Sequence, residues 1–366
     1  MFTQLELENV RSWEKASIPL SPLTVLVGPN ASGKTTILEA LEVLGQAIEH
    51  FLAQPRGPAP DWHKLLRAGQ SIMAIRAHTR SADGVAGLVE LTAHRTSAAF
   101  LRVSAPDIDY DEARAQRAVH PQLAAQFVKE HRIRLYQFVP ERLGARSYVD
   151  DLSPSLSRDG SNLASVLATM RLEDQPAFEQ IVKLSRDVVP SLRNIQVRRA
   201  NVIRPEQRRV VIDGNATQLT EQRTYVGHEV VFEMEGAPDL VRATEAGEGT
   251  LLVVGLITAA FQPSGARIAL LDDIEMRLHP AAQAKLIEVL RANAKIARPA
   301  QIVGTTHSPF FLQHLDASEV AVVDMQVGRS SVQRLSEHPD YEMWRDTMGV
   351  GEFWSSVGEQ WLRKAG

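Results

Sequence analysis

Gly28-Pro29-Asn30-Ala31-Ser32-Gly33-Lys34-Thr35 is a complete G-x-x-x-x-G-K-[ST] phosphate loop. It lies between the apolar run Leu23-Thr24-Val25-Leu26-Val27 and a stretch with helical periodicity. The glycines let the backbone curl so that successive N–H groups face phosphate oxygens, and the helix that begins near Lys34 adds the positive end of its dipole. The loop from Gly28 through Thr36 is therefore expected to cradle a nucleoside triphosphate. Lys34 is expected to reach the β- and γ-phosphates and Thr35 to hold Mg²⁺.

Downstream of the loop, Ile37, Leu38, Leu41, Leu44, Ile48 and Phe51 recur at helical spacing until the cluster Pro55-Arg56-Gly57-Pro58-Ala59-Pro60, which reads as a connector. Upstream, Phe2 to Leu20 reads as two short strands around a turn at Asn9-Val10-Arg11-Ser12. Segments 71–79, 85–94 and 98–104 have strand composition and predict an antiparallel sheet beside the nucleotide core. Residues 111–192 read as mainly helical, with a break at Arg158-Asp159-Gly160-Ser161-Asn162. Strands return over 194–233, and alternating helix and strand follow from Leu251 through Val323.

A second apolar run ends in acids, Ile268-Ala269-Leu270-Leu271-Asp272-Asp273-Ile274-Glu275, as a buried parallel strand does when it delivers carboxylates at its C-terminal edge. Asp272 suits the Mg²⁺ shell, and Asp273 suits orientation or deprotonation of an attacking water. The run Gln301-Ile302-Val303-Gly304 leads into Thr305-Thr306-His307-Ser308 and brings His307 to the same edge, within reach of a γ-phosphate. The other ten histidines lack such a context.

About 240 residues separate Lys34 from Asp272, far more than a compact kinase or GTPase places between its nucleotide motifs. No Asn-Lys-x-Asp guanine signature is present, so the nucleotide is read as ATP. Between the two motifs, Glu245-Ala246-Gly247-Glu248-Gly249-Thr250 opens the apolar helix 251–260. Small residues at a helix start form a second anion site, and a partner subunit could supply its phosphate. A P-loop kinase explains neither this loop nor the histidine strand.

The 366 residues, 44% hydrophobic and 23% charged with a formal net charge of −4, have ample material for a globular core and no overall basic field. Nucleic-acid binding would need a local patch, for which Arg193, Arg198, Arg199, Arg204, Arg208 and Arg209 are the candidates; Arg198, Arg199, Arg208 and Arg209 form its centre. The absence of cysteine excludes disulfides, thiol catalysis and Cys-ligated zinc. With a first segment that reads as a strand, and no apolar run long enough for a bilayer, the expectation is a soluble cytoplasmic protein without membrane partners.

Taken in order, several motifs resemble the ABC-type ATPases of the RecF and SMC class, and the short OLD-like relatives known as AAA-family ATPases. These are Leu7-Glu8-Asn9-Val10-Arg11-Ser12-Trp13, the phosphate loop, Asp159-Gly160-Ser161-Asn162-Leu163-Ala164, Gly247-Glu248-Gly249-Thr250, the acidic strand with Leu278-His279-Pro280, and Thr306-His307-Ser308-Pro309. The resemblance spans nearly the whole chain. It implies an α/β P-loop NTPase of ABC type with a flanking antiparallel β subdomain and a helical subdomain. The expected single head, 1–366, divides into a phosphate-loop lobe (1–110), a mainly helical insert with returning strands (111–242) and a lobe with signature, Walker B and switch histidine (243–366).

The resemblance further implies a homodimer docked head to tail around ATP and Mg²⁺. One copy contributes Arg11, Lys34, Thr35 and Asp272, and the other contributes Gly247, Glu248, Gly249 and Thr250. His307 serves as the γ-phosphate switch. Three positions depart from the family pattern. Asp273 replaces a glutamate, which leaves its carboxylate about 1 Å short, worth on the order of 10²-fold in rate. Gly247 replaces a serine, and Met276 an asparagine. Gln137 is a weak candidate for the glutamine of the Mg²⁺ loop. OLD-type nucleases continue into a TOPRIM domain of roughly 100 residues, whereas 59 residues follow His307, so no nuclease centre is expected. The reading is an ATPase head with slow hydrolysis that drives or gates DNA transactions or a separately encoded effector such as a nuclease, in genome maintenance or anti-phage defence. The alternative is an ATP-sensing scaffold that regulates a partner while hydrolysing little or nothing.

Overall fold

The computed structural model describes residues 1–53, 59–81, 84–96, 99–105, 108–111, 120–212, 215–263, 265–293 and 301–364, with only the backbone described at 208–212, 215–219, 293 and 363–364. Residues 55–58 of the expected proline connector lie outside that set. Two compact units are present: one joins Met1–Tyr136 to Ala266–Gly366, and the other is Gln137–Gly265. The three sequence-derived lobes follow other boundaries, and the signature segment at Gly247 falls in the second unit.

The first unit opens with β1 (Phe2–Val10), β2 (Trp13–Pro19), β3 (Leu23–Val27) and α1 (Lys34–Leu52). Strands β4 (Ile72–Arg80), β5 (Ala86–His94), β6 (Ala99–Ala105) and β7 (Ile108–Asp111) follow, then α2 (Pro121–Glu130) and β8 (Ile133–Tyr136). Alternation is visible in the antiparallel sheet β2-β1-β4-β5-β6-β7: Leu5 and Leu7 of β1 are buried, as are Val89, Leu91 and Ala93 of β5. That sheet packs its apolar face on Leu38, Leu41, Leu44 and Ile48 of α1, within one hydrophobic core.

The second unit comprises α3 (Pro140–Leu143), α4 (Leu163–Glu173), α5 (Gln175–Val188), β9 (Leu192–Ile212), β10 (Asn215–Met234), β11 (Val241–Arg242) and α6 (Glu248–Phe261). The returning strands form one long two-stranded ribbon in continuous antiparallel register from Asn215↔Ile212 to Glu233↔Asn194. Residues 251–260 of α6 are all buried, as expected of a helix apolar on every side.

The chain then re-enters the first unit with β12 (Ile268–Leu271), α7 (Pro280–Asn293), β13 (Gln301–Thr306), α8 (Pro309–Leu312), β14 (Val320–Gln326), β15 (Arg329–Arg334), α9 (Tyr341–Trp344) and α10 (Val350–Val357). The second sheet, β15-β14-β3-β13-β12-β8, is parallel from β14 to β8, with β15 added antiparallel at its edge. Every residue of β3, β12 and β13 is buried, which accounts for the apolar runs Val25–Val27, Ile268–Leu271 and Ile302–Val303, while the buried polar residues Gln301 and Thr305 are hydrogen-bonded. Among the described residues, the segment 111–192 carries four helices, and strand β8 is the one element within it that the sequence reading did not include. Its four residues are too few to show a period, and the sheet recruits them beside β12.

Candidate nucleotide site

Three parallel strands end at one sheet edge and each delivers a piece of the site: β3 the phosphate loop, β12 the acids Asp272 and Asp273, and β13 His307. Gly28 (φ 150°) and Gly33 (φ 107°) take backbone conformations that side chains resist. A Cβ on Gly28 would lie 2.0 Å from the Val323 carbonyl oxygen of β14. Gly33 ends the loop as the N-cap of α1 without a side-chain cap, and the first turn carries no acid. The opening N–H groups thus remain available to an anion.

Lys34 is buried, 6% exposed, and its Nζ donates to the carbonyls of Gly28 (2.9 Å) and Pro29 (2.8 Å). Burial lowers its pKa, opposed by the negative fields of Asp273, Asp272, Glu359 and Glu275. The loop backbone is braced from outside: Ser330 Oγ of β15 donates to the Ser32 carbonyl (2.7 Å) and Trp13 Nε1 to that of Gly33 (3.3 Å). Ser32 Oγ is buried without a hydrogen-bond partner. Such an orphan hydroxyl, beside a desolvated ammonium and an uncapped helix start, fits a phosphate group.

Asp272 follows β12, and its backbone N–H donates to the Tyr136 carbonyl of β8 (3.1 Å). Thr35 Oγ1 lies 3.4 Å from both Asp272 carboxylate oxygens, and Thr305 Oγ1 donates to Oδ1 at 2.7 Å. A hydroxyl and a carboxylate converging at the phosphate loop are the hard oxygen donors that Mg²⁺ takes when substrate phosphates complete its shell. Among the described residues no group of three or more His, Asp or Glu is placed as an all-protein metal cage.

Asp273 lies exposed with φ 52°, a left-handed conformation uncommon for a non-glycine residue. Its N–H donates to Thr305 Oγ1 (2.8 Å), so one hydroxyl orders both acids. Partial burial raises the Asp273 pKa, Asp272 beside it adds to the rise, and His307 and Lys34 oppose it. His307 is exposed at the end of β13, with its backbone N–H donated to Glu275 Oε1 at 2.7 Å. Arg11, at a positive φ in the β1–β2 turn, pairs with Glu39 of α1 (2.5 Å) and donates Nε to the Lys64 carbonyl.

Sequence reasoning passed over Thr305, Ser330 and the role of Glu275. The adjacent Thr305-Thr306 before His307 was the only visible signal; the other two act through contacts with distant segments. The Leu278-His279-Pro280 motif is a helix start: His279 Nδ1 accepts from the Ala281 N–H, and Pro280 occupies the first position of α7.

In the second unit, Gly247 is the N-cap of α6 with no side-chain cap, in an extended conformation. Glu248 is exposed there, whereas Gly249 and Thr250 are half-buried. Gln137 follows β8, and its Oε1 accepts from Arg158 Nε (3.0 Å). Asp159 accepts from the Ser161 N–H (3.0 Å), and Asn162 Oδ1 from the Ser157 N–H (2.8 Å). These bonds shape the corner before α4. The arginine cluster is divided by the ribbon's pleat. Arg198 and Arg199 are exposed on opposite faces, Arg193 pairs with Glu235, and Arg204 lies over the Tyr148 ring. Arg208 and Arg209 pair with Leu219 and Gln218 near the ribbon's end, and their side chains lie outside the described set.

A central parallel sheet with these loops at its carboxyl edge, flanked by an antiparallel sheet, defines an ABC-type ATPase of the RecF and SMC class. Within that class the chain belongs to the family described as "AAA domain, putative AbiEii toxin, Type IV TA system", whose model matches residues 118–313, more than half of its length. An "AAA ATPase domain" model matches residues 1–86.

The DNA replication and repair protein RecF of Corynebacterium jeikeium is 39% identical over 93 residues, 25% of this chain and 19% of that protein. The OLD nuclease of Thermus scotoductus is 48% identical over 44 residues, 12% of this chain and 8% of the nuclease. The aligned stretches thus cover less than a fifth of either relative's length. Among solved structures, an SMC head bound to the C-terminal winged-helix domain of ScpA superposes with a TM-score of 0.59 at 16% identity, covering 93% of this chain and 99% of that one. An SMC head with an extended coiled coil, bound to the C-terminal domain of ScpA from Pyrococcus furiosus, gives 0.57 at 14%, covering 94% and 98%. These structural likenesses bear on the fold alone. Among the described residues no helix is long and apolar enough to cross a membrane.

Proposed function

We propose that this chain is an ATP-hydrolysing head that closes on a second copy around two shared nucleotides, and that closure drives or gates a DNA transaction or a separately encoded effector. The observation that carries the reading is the hydrogen-bonded group Thr35–Asp272–Thr305–Asp273 beside a desolvated Lys34 and an orphaned Ser32 hydroxyl. On ATP binding, Lys34 exchanges its two backbone carbonyls for phosphate oxygens, and Ser32 and the first N–H groups of α1 complete the cradle. Thr35 and Asp272 hold magnesium, which neutralises charge on the phosphates. Asp273, with its raised pKa, accepts the proton of the attacking water, and His307 contacts the γ-phosphate. In the dimer, Gly247, Glu248, Gly249 and Thr250 of the opposite copy offer an uncapped helix start to the same nucleotide.

The DNA setting is supported by the RecF relatives' name, and a defence setting by the toxin family and the OLD nuclease. Within the arginine cluster, Arg198 and Arg199 are exposed and open to a DNA backbone. The second reading, an ATP-sensing scaffold, is favoured by the short, left-handed Asp273 and by the missing hydroxyl at Gly247. Steady-state ATP turnover with and without DNA, together with light scattering of Asp273→Asn, tests both readings. The engine predicts DNA-sensitive turnover and ATP-dependent doubling of mass, while the scaffold predicts doubling with negligible turnover. A chain that stays monomeric at saturating ATP, with Lys34→Ala binding ATP as well as wild type, overturns the shared reading.

A further inference from the structure

Glu275 stands three residues beyond Asp272, in a loop that turns through two left-handed residues, Asp273 (φ 52°) and Arg277 (φ 60°). Ile274 anchors that loop to β13. Its N–H donates to the Thr305 carbonyl (3.1 Å), and its side chain lies so close over Gly304 that a Cβ there would meet Ile274 Cδ1 at 2.0 Å. The anchor carries Glu275 to the end of β13, where Oε1 takes the His307 N–H at 2.7 Å. Oε2 is buried and has no hydrogen-bond partner.

The residues after His307 are fastened separately. The Ser308 N–H donates to Thr306 Oγ1 (3.1 Å), its hydroxyl donates to Gln283 Oε1 (2.9 Å), and the same hydroxyl accepts from the Phe311 N–H to cap α8. The His307 peptide is thus the joint between β13 and α8, and the Glu275 carboxylate holds its N–H. A carboxylate with one buried oxygen unpaired costs stability, and a neutral side chain could fill the space without that cost.

We propose that Glu275 is a positioning residue for His307, a latch that fixes the switch loop to the metal-binding loop through the His307 N–H. The proposal rests on the reading of His307 as the γ-phosphate contact. By holding the peptide, Glu275 sets the direction of an imidazole that is otherwise exposed, and any shift of the acidic loop is passed to the switch.

Glu275→Gln keeps an oxygen that accepts from the His307 N–H, whereas Glu275→Ala removes it. In nucleotide-free protein, the His307 amide should exchange hydrogen at least about tenfold faster in the alanine variant and close to the wild-type rate in the glutamine variant. With ATP, alanine should lower kcat about 10- to 100-fold while KM and ATP affinity stay within about threefold, and glutamine should restore most of kcat. Unchanged exchange in Glu275→Ala overturns the latch whether or not the protein hydrolyses ATP, so failure of the latch is separable from failure of the ATPase reading. A glutamine variant with a protected amide but turnover as low as alanine also overturns it, and assigns Glu275 to proton transfer.

Discussion

Replacing Thr305 by valine keeps the shape of the side chain and deletes one hydroxyl that serves both acids. Thr305 is 1% exposed, donates to Asp272 Oδ1 at 2.7 Å and accepts the Asp273 N–H at 2.8 Å. A hydrogen bond to a charged group contributes about 1.5–3 kcal/mol, and a buried donor left unpaired costs about 1–3 kcal/mol. Asp273 is open to water, which takes over part of the second bond, so the expected loss is about 2–4 kcal/mol. At about 2–4 °C per kcal/mol for a unit of this size, the melting temperature should fall by roughly 5–15 °C. Asp272 and Asp273 also lose their common anchor, and a displacement of about 1 Å at reacting groups lowers turnover on the order of 10²-fold. Thr305→Ser retains the hydroxyl and should lie much nearer to wild type in both measurements. Differential scanning calorimetry paired with a coupled ATPase assay reads both effects. A valine variant that melts and turns over like wild type would show that Thr305 does not organise the acids.

Other positions give further expectations. Asp273→Glu lengthens the carboxylate by one methylene and should raise steady-state turnover about 10- to 100-fold if reach is limiting; a fall means the left-handed backbone is tuned to aspartate. Gly247→Ser should be accommodated, since φ is −62° and no atom lies within 4 Å of the added Cβ. It should tighten ATP-dependent association in sedimentation runs, and weaker association refutes the trans contact. His131 lies against Phe127 and Phe2, and burial lowers its pKa to about 4. The folded state therefore refuses a proton that the unfolded chain binds below pH 6.5, and stability falls as pH drops from 6.5 towards 4. Between pH 7 and 5 the loss should be about 2 kcal/mol in urea denaturation, and His131→Phe should remove that slope.

The phosphate loop, the acidic strand and the histidine strand were legible because each is governed locally. Glycines at 28 and 33 meet dihedral demands, and fully buried parallel strands are rich in apolar residues. The order of motifs supplied the class. Strand β8 was not legible, since Ile133-Arg134-Leu135-Tyr136 acquires its conformation from pairing with β12. The segment 194–233 was legible as strands but not as a single ribbon, because register depends on pairs distant in sequence, such as Asn194↔Glu233, 39 residues apart. Arginines adjacent in sequence suggested one surface, and the pleat puts Arg198 and Arg199 on two. Thr305 and Glu275 act by reaching loops 32 residues away, a relation no local pattern encodes.

The nucleotide-free site concentrates unfavourable local arrangements that the rest of the fold supports. Lys34 is desolvated, Ser32 Oγ is buried unpaired, Asp272 and Asp273 stand side by side, and Asp273 holds a left-handed backbone. Each costs stability on its own, yet the residues around them are fully packed: β3, β12 and β13 are wholly buried, and the β14–β15 pair braces the loop through Val323 and Ser330. A site that only needed to be stable would replace the lysine and the paired acids with apolar residues. Their retention under rigid support is what preorganised charge recognition requires, since the donors and acceptors are held in place before the ligand arrives and need not be ordered at its expense. On the proposed reading, a nucleotide bound here would act directly on the loops that end β12 and β13. The hydroxyl of Thr305, its carbonyl and the carboxylate of Glu275 tie those two loops together through hydrogen bonds to Asp272, Asp273, Ile274 and His307.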